Sequence, residues 1–249
     1  MIDYPTLEPY LERYEHLQHE PLHITLELVP GSRIAGYDPV NLDNLLARTV
    51  VDEATHGLGL PSTPEAYRLP VPLCCLWRSS EGLPLWAATP FFPAADHVAD
   101  VAYWHKRAQT GEFTRTKSGR FAIRSTQGRW MDRRVPLPTQ VCDRWEAWCI
   151  GNADEIARLL PPLTHIGKKR SMGFGEVRRW NIEPAASFDL VRDGRLTRSM
   201  PAMAVSELLP GREFAEEPAP VGWTPPQWKP SLFLPGWWPG TLVEVPEVI

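Results

Sequence analysis

The rhythm of apolar and polar positions changes several times along the chain, and each rhythm predicts an element. Residues 22–29 (LHITLELV) alternate, with Leu22, Ile24, Leu26 and Leu28 on one side and His23, Thr25, Glu27 and Val29 on the other. That period of two marks a strand with one buried face, and Pro30-Gly31 ends it. Further on, Leu42, Leu45, Leu46, Val50 and Ala54 recur at helical spacing. Asn41 or Asp43 can cap that helix, and Gly57 stops it. Residues 67–88 read as a hairpin with Glu81-Gly82 in its turn, and Pro70, Pro72 and Pro84 suit a sheet edge. Residues 91–104 read as a proline-bounded connector with a short helix from Ala95.

The second half carries a strand at 141–150 and the clearest helix, 152–160. Asn152 caps that helix, Asp154 and Glu155 suit its positive end, and Ile156, Leu159 and Leu160 form its buried stripe. Pro161-Pro162 end it. A glycine-bearing loop follows, then a strand at 176–182 that alternates Val177, Arg179 and Asn181 against Arg178, Trp180 and Ile182. Strand, helix, hairpin, insertion, strand, helix, loop and strand give an α+β fold with a decorated βαββαβ order. This predicts a ferredoxin-like (RRM-like) core over residues 22–184, with one sheet face open to RNA. Residues 1–21 form an acidic, partly helical lead-in. Residues 185–249 predict a hairpin around Arg192–Arg195 and an extended Pro/Trp-rich strap packed on the core.

Composition narrows the class. The chain has 249 residues, 43% apolar, with a net charge of −4, which excludes general disorder. Its 27 prolines disfavour a helical bundle. No run approaches the roughly 18–20 apolar residues of a membrane span, and the acidic N-terminus does not resemble a signal peptide. Cys74, Cys75, Cys142 and Cys149 lack zinc-ligand spacing, so buried thiols in the cytoplasm are expected, with no metal or other cofactor.

The small net charge hides an asymmetry. Positions 103–179 hold 16 lysines and arginines against 7 acidic residues, and the rest of the chain holds 10 against 23. Residues 103–134 alone carry Lys106, Arg107, Arg115, Lys117, Arg120, Arg124, Arg129, Arg133 and Arg134 against Glu112 and Asp132. Most are arginines, whose fork fits phosphate oxygens. Tyr103, Trp104, Phe113, Phe121 and Trp130 lie among them and can stack on unpaired bases. Gly111, Gly119 and Gly128 interrupt any helical period, which disfavours a duplex-reading helix and suggests a basic finger at 103–134. The pattern predicts a polyanion site, with nucleic acid as the partner.

The sharpest local signal runs from Gly167 to Gly175, with Lys168, Lys169 and Arg170 followed by Gly173, Phe174 and Gly175. The glycines permit close backbone approach, the triplet concentrates charge, and Phe174 can pack or stack. Neither the nucleotide-hydrolase phosphate loop nor the dinucleotide fingerprint is present, since this loop follows a helix and precedes a strand.

Residues 152–184 resemble the last helix, glycine-rich loop and last strand of RAMP-superfamily CRISPR proteins. Over residues 22–235 the chain resembles the type IV (Csf) effector subunit that corresponds to the five-prime-handle-binding RAMP subunit of other CRISPR complexes. Residues 22–47 and TPPQWKPSLFLPG add to the likeness. The resemblance implies a non-catalytic subunit that grips the 5′ handle of a CRISPR RNA and caps the effector. Its partners would be the backbone RAMP protein and the large subunit, with a contact to target DNA left open. It also implies that the residues of the triplet, Gly173, Phe174, Gly175 and the basic finger touch RNA.

Two alternatives stand beside this one: a RAMP-type CRISPR RNA processing endonuclease and a free-standing RNA-binding protein. An endonuclease of this kind would need a general acid/base. His23 and His105 are the histidines nearest a plausible RNA path.

Overall fold

The computed structural model describes residues 4–61, 63, 65–106 and 133–244. It is a mixed α/β structure with few helices and several small antiparallel sheets. Helix α1 (Glu8–Glu15) precedes strands β1 (Glu20–Leu28) and β2 (Ile34–Ala35), and α2 (Leu42–Ala54) follows. Short strands β3 (Cys75–Arg78), β4 (Pro84–Trp86) and β5 (Phe92–Pro93) lead into two longer ones, β6 (Val98–Lys106) and β7 (Arg133–Val141). Then come β8 (Arg144–Gly151), α3 (Ala153–Leu159) and β9 (Val177–Pro184). The C-terminal part holds β10 (Val191–Arg192), β11 (Arg195–Leu196), β12 (Met200–Pro201), α4 (Ala202–Leu208), β13 (Glu213–Phe214), β14 (Ala219–Val221), β15 (Leu234–Trp237) and β16 (Val243–Glu244).

The main sheet has the order β5-β8-β1-β9, and every neighbouring pair is antiparallel. Its inner face is the one the alternation predicts: Leu22, Ile24, Leu26 and Leu28 are buried and cluster with Trp145, Ala147 and Cys149 of β8. Leu42, Leu46 and Val50 of α2 and Ile156 and Leu159 of α3 complete that core, so both helices cover one face. Asn152 caps α3 as expected, its side chain accepting from the Glu155 amide at 3.0 Å. Asn41 occupies the α2 cap position, but its side chain donates to the Pro39 carbonyl instead of capping.

Three expectations need correction. Simple alternation set Val177 opposite Trp180 and Ile182, but a bulge opposite Glu27/Leu28 shifts the register, and all three pack against the core. In residues 67–88 the expected hairpin forms from β3 and β4, but it joins β8 only through isolated bridges at Leu73↔Gly151 and Ala88↔Cys149, and the sheet's outer strand is β5, beyond it. Trp77, Leu83 and Leu85 of that hairpin instead enter a second core. The stretch from Ala95 is not helical: β6 pairs with β7 from Val98↔Val141 to Lys106↔Arg133. Val98, Val101 and Tyr103 of this ribbon are exposed, so no buried face imposed a period-two pattern.

The second core joins that hairpin to the C-terminal residues Leu196, Met200, Ala204, Val205, Trp223, Leu232 and Val243. The β10–β11 hairpin forms where predicted. The segment beyond it is more folded than an extended strap, with α4 packed beside a β12-β15-β14 sheet. Cys142 and Cys149 are buried free thiols, whereas Cys74 and Cys75 are only half-buried. Among the described residues no helix is long and apolar enough to cross a membrane.

Two buried ionic groups fasten the parts. Arg198, 2% exposed, donates to the carbonyls of Trp86, Ala88 (3.1 Å), Trp223 (2.7 Å) and Ser199 (3.3 Å). Its guanidinium also reaches Asp43 of α2 at 3.4 Å, tying both cores together. Glu155, 3% exposed, accepts from Tyr14 at 2.7 Å and from Arg158 at 2.7 and 3.1 Å, and Arg13 pairs with it too. Glu155 thereby pins α1 to α3, while Arg158 continues to Glu53 of α2 at 2.8 Å.

Removing one partner of a buried ion pair leaves the other uncompensated. Arg198→Met is therefore expected to lower unfolding free energy by about 3–5 kcal/mol in chemical denaturation. A loss below about 1 kcal/mol would show that the joint carries little.

Burial pushes the Glu155 carboxyl up, but the Arg158 and Tyr14 hydrogen bonds outweigh it and hold the group below its ordinary 4.5. A lowered folded-state value stabilises fully above the unfolded value and loses that contribution as pH falls through the folded one. Thermal melts at descending pH should thus show wild-type stability declining more steeply in acid than that of Glu155→Gln. Parallel declines would remove Glu155 as the source.

Candidate nucleic-acid interface

The glycine loop leaves the core after α3 and returns into β9 through a closed neck. The Ile166 amide donates to the Gly175 carbonyl at 2.9 Å, the Val177 amide donates to Thr164 at 2.8 Å, and His165 bridges Glu176. The β1–β2 connection braces the same neck: the Gly175 amide donates to the Arg33 carbonyl at 2.9 Å and the Glu176 amide to Ser32 Oγ at 2.9 Å. Lys168 bridges Ala35 of β2. The base of the loop is thus fixed by backbone bonds, while Ser171, Met172 and Gly173 at its tip are exposed.

The two later glycines do different work. A Cβ on Gly175 would lie 2.0 Å from the Ile166 carbonyl oxygen, and its φ is +68°. The close approach that requires glycine there is to the chain's own backbone. Gly173, at φ +82°, has nothing within 4 Å of a hypothetical Cβ and faces open space. Between them Phe174 is half-buried. Lys169 is itself left-handed, at φ +59°, a conformation that costs energy in a residue with a side chain.

The triplet's side chains diverge. Lys168 forms an ion pair with Asp38, both exposed. The Lys169 ammonium sits 4.8 Å from the Trp104 ring centroid, a cation–π contact that joins the loop to β6. Arg170 is exposed and has no ion pair among the described residues. On the ribbon, the Arg134 guanidinium lies 3.8 Å over the Tyr103 ring. Arg133, paired with Lys106 in the backbone register, is exposed. Arg33 links the loop's brace to the ribbon through Asp100.

Lys169 on Trp104 therefore brings the glycine loop to the ribbon, where Arg134 lies on Tyr103, although some 30 residues of sequence separate the two segments. Lys168 turns to Asp38, and Arg170 and Arg133 are exposed. Arg107, Arg115, Lys117, Arg120, Arg124 and Arg129, with the rest of the basic finger, lie outside the described residues. Among the described residues the β6–β7 ribbon begins at Val98.

The other face of the main sheet carries a group the sequence did not reveal. The His23 ring stacks on Trp148, centroids 4.9 Å apart, and Arg192 of β10 lies 3.8 Å over the Trp148 ring. His23 Nε2 is 3.8 Å from a Glu146 carboxylate oxygen. On the neighbouring strand Arg179 donates to Glu27 and holds that carboxyl below its ordinary value. His105 is exposed on the ribbon, opposite Arg134 in register. The partners Arg33 and Arg192 fall outside the sequence's basic runs, and only the fold brings them in. Burial pushes the Cys149 thiol up to about 12, leaving an inert core group. Among the described residues no group of three or more His, Cys, Asp or Glu could hold a metal ion.

A mixed α/β protein with a cationic, aromatic-bearing face of this kind falls among candidate polyanion binders. Comparison makes the class specific: the family model of CRISPR type IV associated protein Csf3 matches residues 20–229. The chain belongs to this family. No curated protein matches it.

The close approach at Gly175 yields a direct test of the loop's framework. Gly175→Ala must displace the Ile166 peptide and hold alanine at positive φ, so it should lower the melting temperature more than Gly173→Ala, which meets only the φ penalty of roughly 1 kcal/mol. Equal melting temperatures would show that the neck tolerates the clash.

Proposed function

We propose that this chain is a non-catalytic RNA-binding subunit of a type IV CRISPR ribonucleoprotein, gripping the 5′ handle of the CRISPR RNA and capping the assembly. The observation that carries the reading is the Lys169–Trp104 contact. It makes one cationic, aromatic face out of the glycine loop and the root of the basic ribbon. Phosphates would meet Lys168, Lys169, Arg170, Arg133 and Arg134, and unpaired bases could stack on the exposed Tyr103 or on Trp104.

The fold supports the same reading. Strand order β5-β8-β1-β9, all antiparallel, with α2 and α3 on one face, suits a ferredoxin-like (RRM-like) core over residues 22–184. In such a core the glycine loop joins the last helix to the last strand, as residues 160–176 do here. Residues 185–244 then serve as a packed extension. The Csf3 family points to a multi-subunit complex, in which a backbone RAMP subunit and the large subunit are the expected neighbours.

The test is binding of repeat RNA across a salt series. For a single strand, each phosphate neutralised by the protein contributes about 0.7 to the slope of log K against log salt. Reversing Lys168, Lys169 and Arg170 to Glu should weaken binding at least tenfold and reduce the slope by about 2. An unchanged affinity and slope would take the loop out of the site.

A further inference from the structure

We infer that the groove between α2 and the C-terminal segment holds one or more unpaired nucleotides of the RNA strand that reaches the glycine loop. The inference rests on the proposed RNA-binding function and adds a second subsite to it. The groove has a volume of about 930 Å³, near the top of the range for ligand clefts, roughly 300–1,000 Å³. Its walls come from distant stretches of sequence: α2, the 57–61 turn, the glycine loop and residues 222–238.

Three observations select the occupant. Lys168 and Arg170 line the groove, so it is continuous with the cationic face already described. Among the described residues Lys168 pairs with the exposed Asp38, and Arg48, the other cation in the lining, pairs with the half-buried Asp52. Solvent-accessible pairs such as Lys168–Asp38 are weak, and a phosphate can displace the carboxylate. Arg170 has no ion pair among the described residues.

Trp228 and Trp238 also line the groove and are 67% and 39% exposed. Exposing large rings to water is unfavourable unless something covers them. An indole face beside a cation suits a base attached to a phosphate.

The floor, finally, carries an unanswered polar atom. Gln227 donates to Asp43 at 2.8 Å, which fixes its amide, and its buried Oε1 accepts from nothing among the described residues. A modest opening of the floor would let an exocyclic amino group or a ribose hydroxyl satisfy that acceptor.

The full-length protein is tested by fluorescence anisotropy with labelled repeat RNA, and by crosslinking to the same RNA carrying 5-iodouridine. Trp228→Ala with Trp238→Ala should weaken binding about 10- to 100-fold while leaving the salt slope unchanged, because the variant removes stacking and keeps every phosphate-binding cation. Trp228→Phe with Trp238→Phe keeps a stacking surface and should bind within about threefold of wild type. Crosslinks should map to residues 222–238. Far-ultraviolet circular dichroism checks that the variants fold.

Unchanged affinity of the alanine variant, with crosslinks confined to the loop and ribbon, would overturn the groove subsite and leave the RNA-binding reading intact. If wild type binds no RNA at all, both fall. Crosslinks from the groove to a second protein in the purified complex would assign it to a partner subunit and also overturn the inference.

Discussion

The structure depends on a charge that cannot be given up. Arginine stays protonated at any physiological pH, so a chain that buries Arg198 completely must surround it with acceptors. The surroundings come from four places: the strand ending at Trp86, the bridge to β8 at Ala88, the segment through Trp223, and Asp43 on α2. Burial pushes the Asp43 carboxyl up and the Arg198 guanidinium down, yet each is opposed by the other. Such a pair contributes little net stability compared with a well-packed apolar isostere. What it supplies is position, because directional bonds to so many separate acceptors can be satisfied in only one arrangement of the two cores.

That arrangement makes the groove. Asp43 receives Gln227 as well as Arg198, so the α2 wall and the tryptophan-bearing wall are fastened at the floor by the same carboxylate. Nearby, the Lys229 ammonium lies 4.3 Å from the Tyr67 ring centroid and also donates to the Glu65 carbonyl. Residues 222–238 are therefore held at several points. Trp228 and Trp238 are displayed by a fixed backbone instead of being left over from poor packing. A preorganised wall spends less entropy on binding than a loose tail would.

What the sequence made legible follows from where burial is one-sided. β1, α2 and α3 each have one face in the core and one outside, so Leu22–Leu28, Leu42–Val50 and Ile156–Leu160 carried clear periods. β6 and β7 bury neither face fully, and their pairing runs through backbone bonds that leave no side-chain pattern. The helix expected from Ala95 was the result. The hairpin at 67–88 was visible, but not its allegiance: Trp77 and Leu85 are as apolar as a main-sheet strand would require, and only long-range packing assigns them to the second core. α4 and the short C-terminal strands were hidden by prolines that suit an extended strap equally well. At the candidate site the charged triplet and Trp104 could be singled out separately. Their contact could not, since it depends on the neck bonds that aim the loop at the ribbon.

Electrostatics gives the proposed site its selectivity for a polyanion. Outside positions 103–179 the chain is net acidic, with 10 lysines and arginines against 23 acidic residues, and such a balance disfavours nucleic acid away from the basic segment. Two acidic residues beside the loop and ribbon are matched, Asp38 by Lys168 and Asp100 by Arg33, and on the main sheet Glu27 is matched by Arg179. These pairs keep the cationic side chains extended and aimed without neutralising Arg133 or Arg170. Because the Asp38 and Asp100 carboxylates are solvent-accessible, a phosphate could replace either at small cost, whereas the buried pairs at Glu155 and Asp43 cannot exchange. The molecule thus keeps its least exchangeable ion pairs inside, where they fix the frame, while the exposed pairs at Lys168 and Arg33 stand where, on the proposed function, a strand of phosphates would take the carboxylates' place.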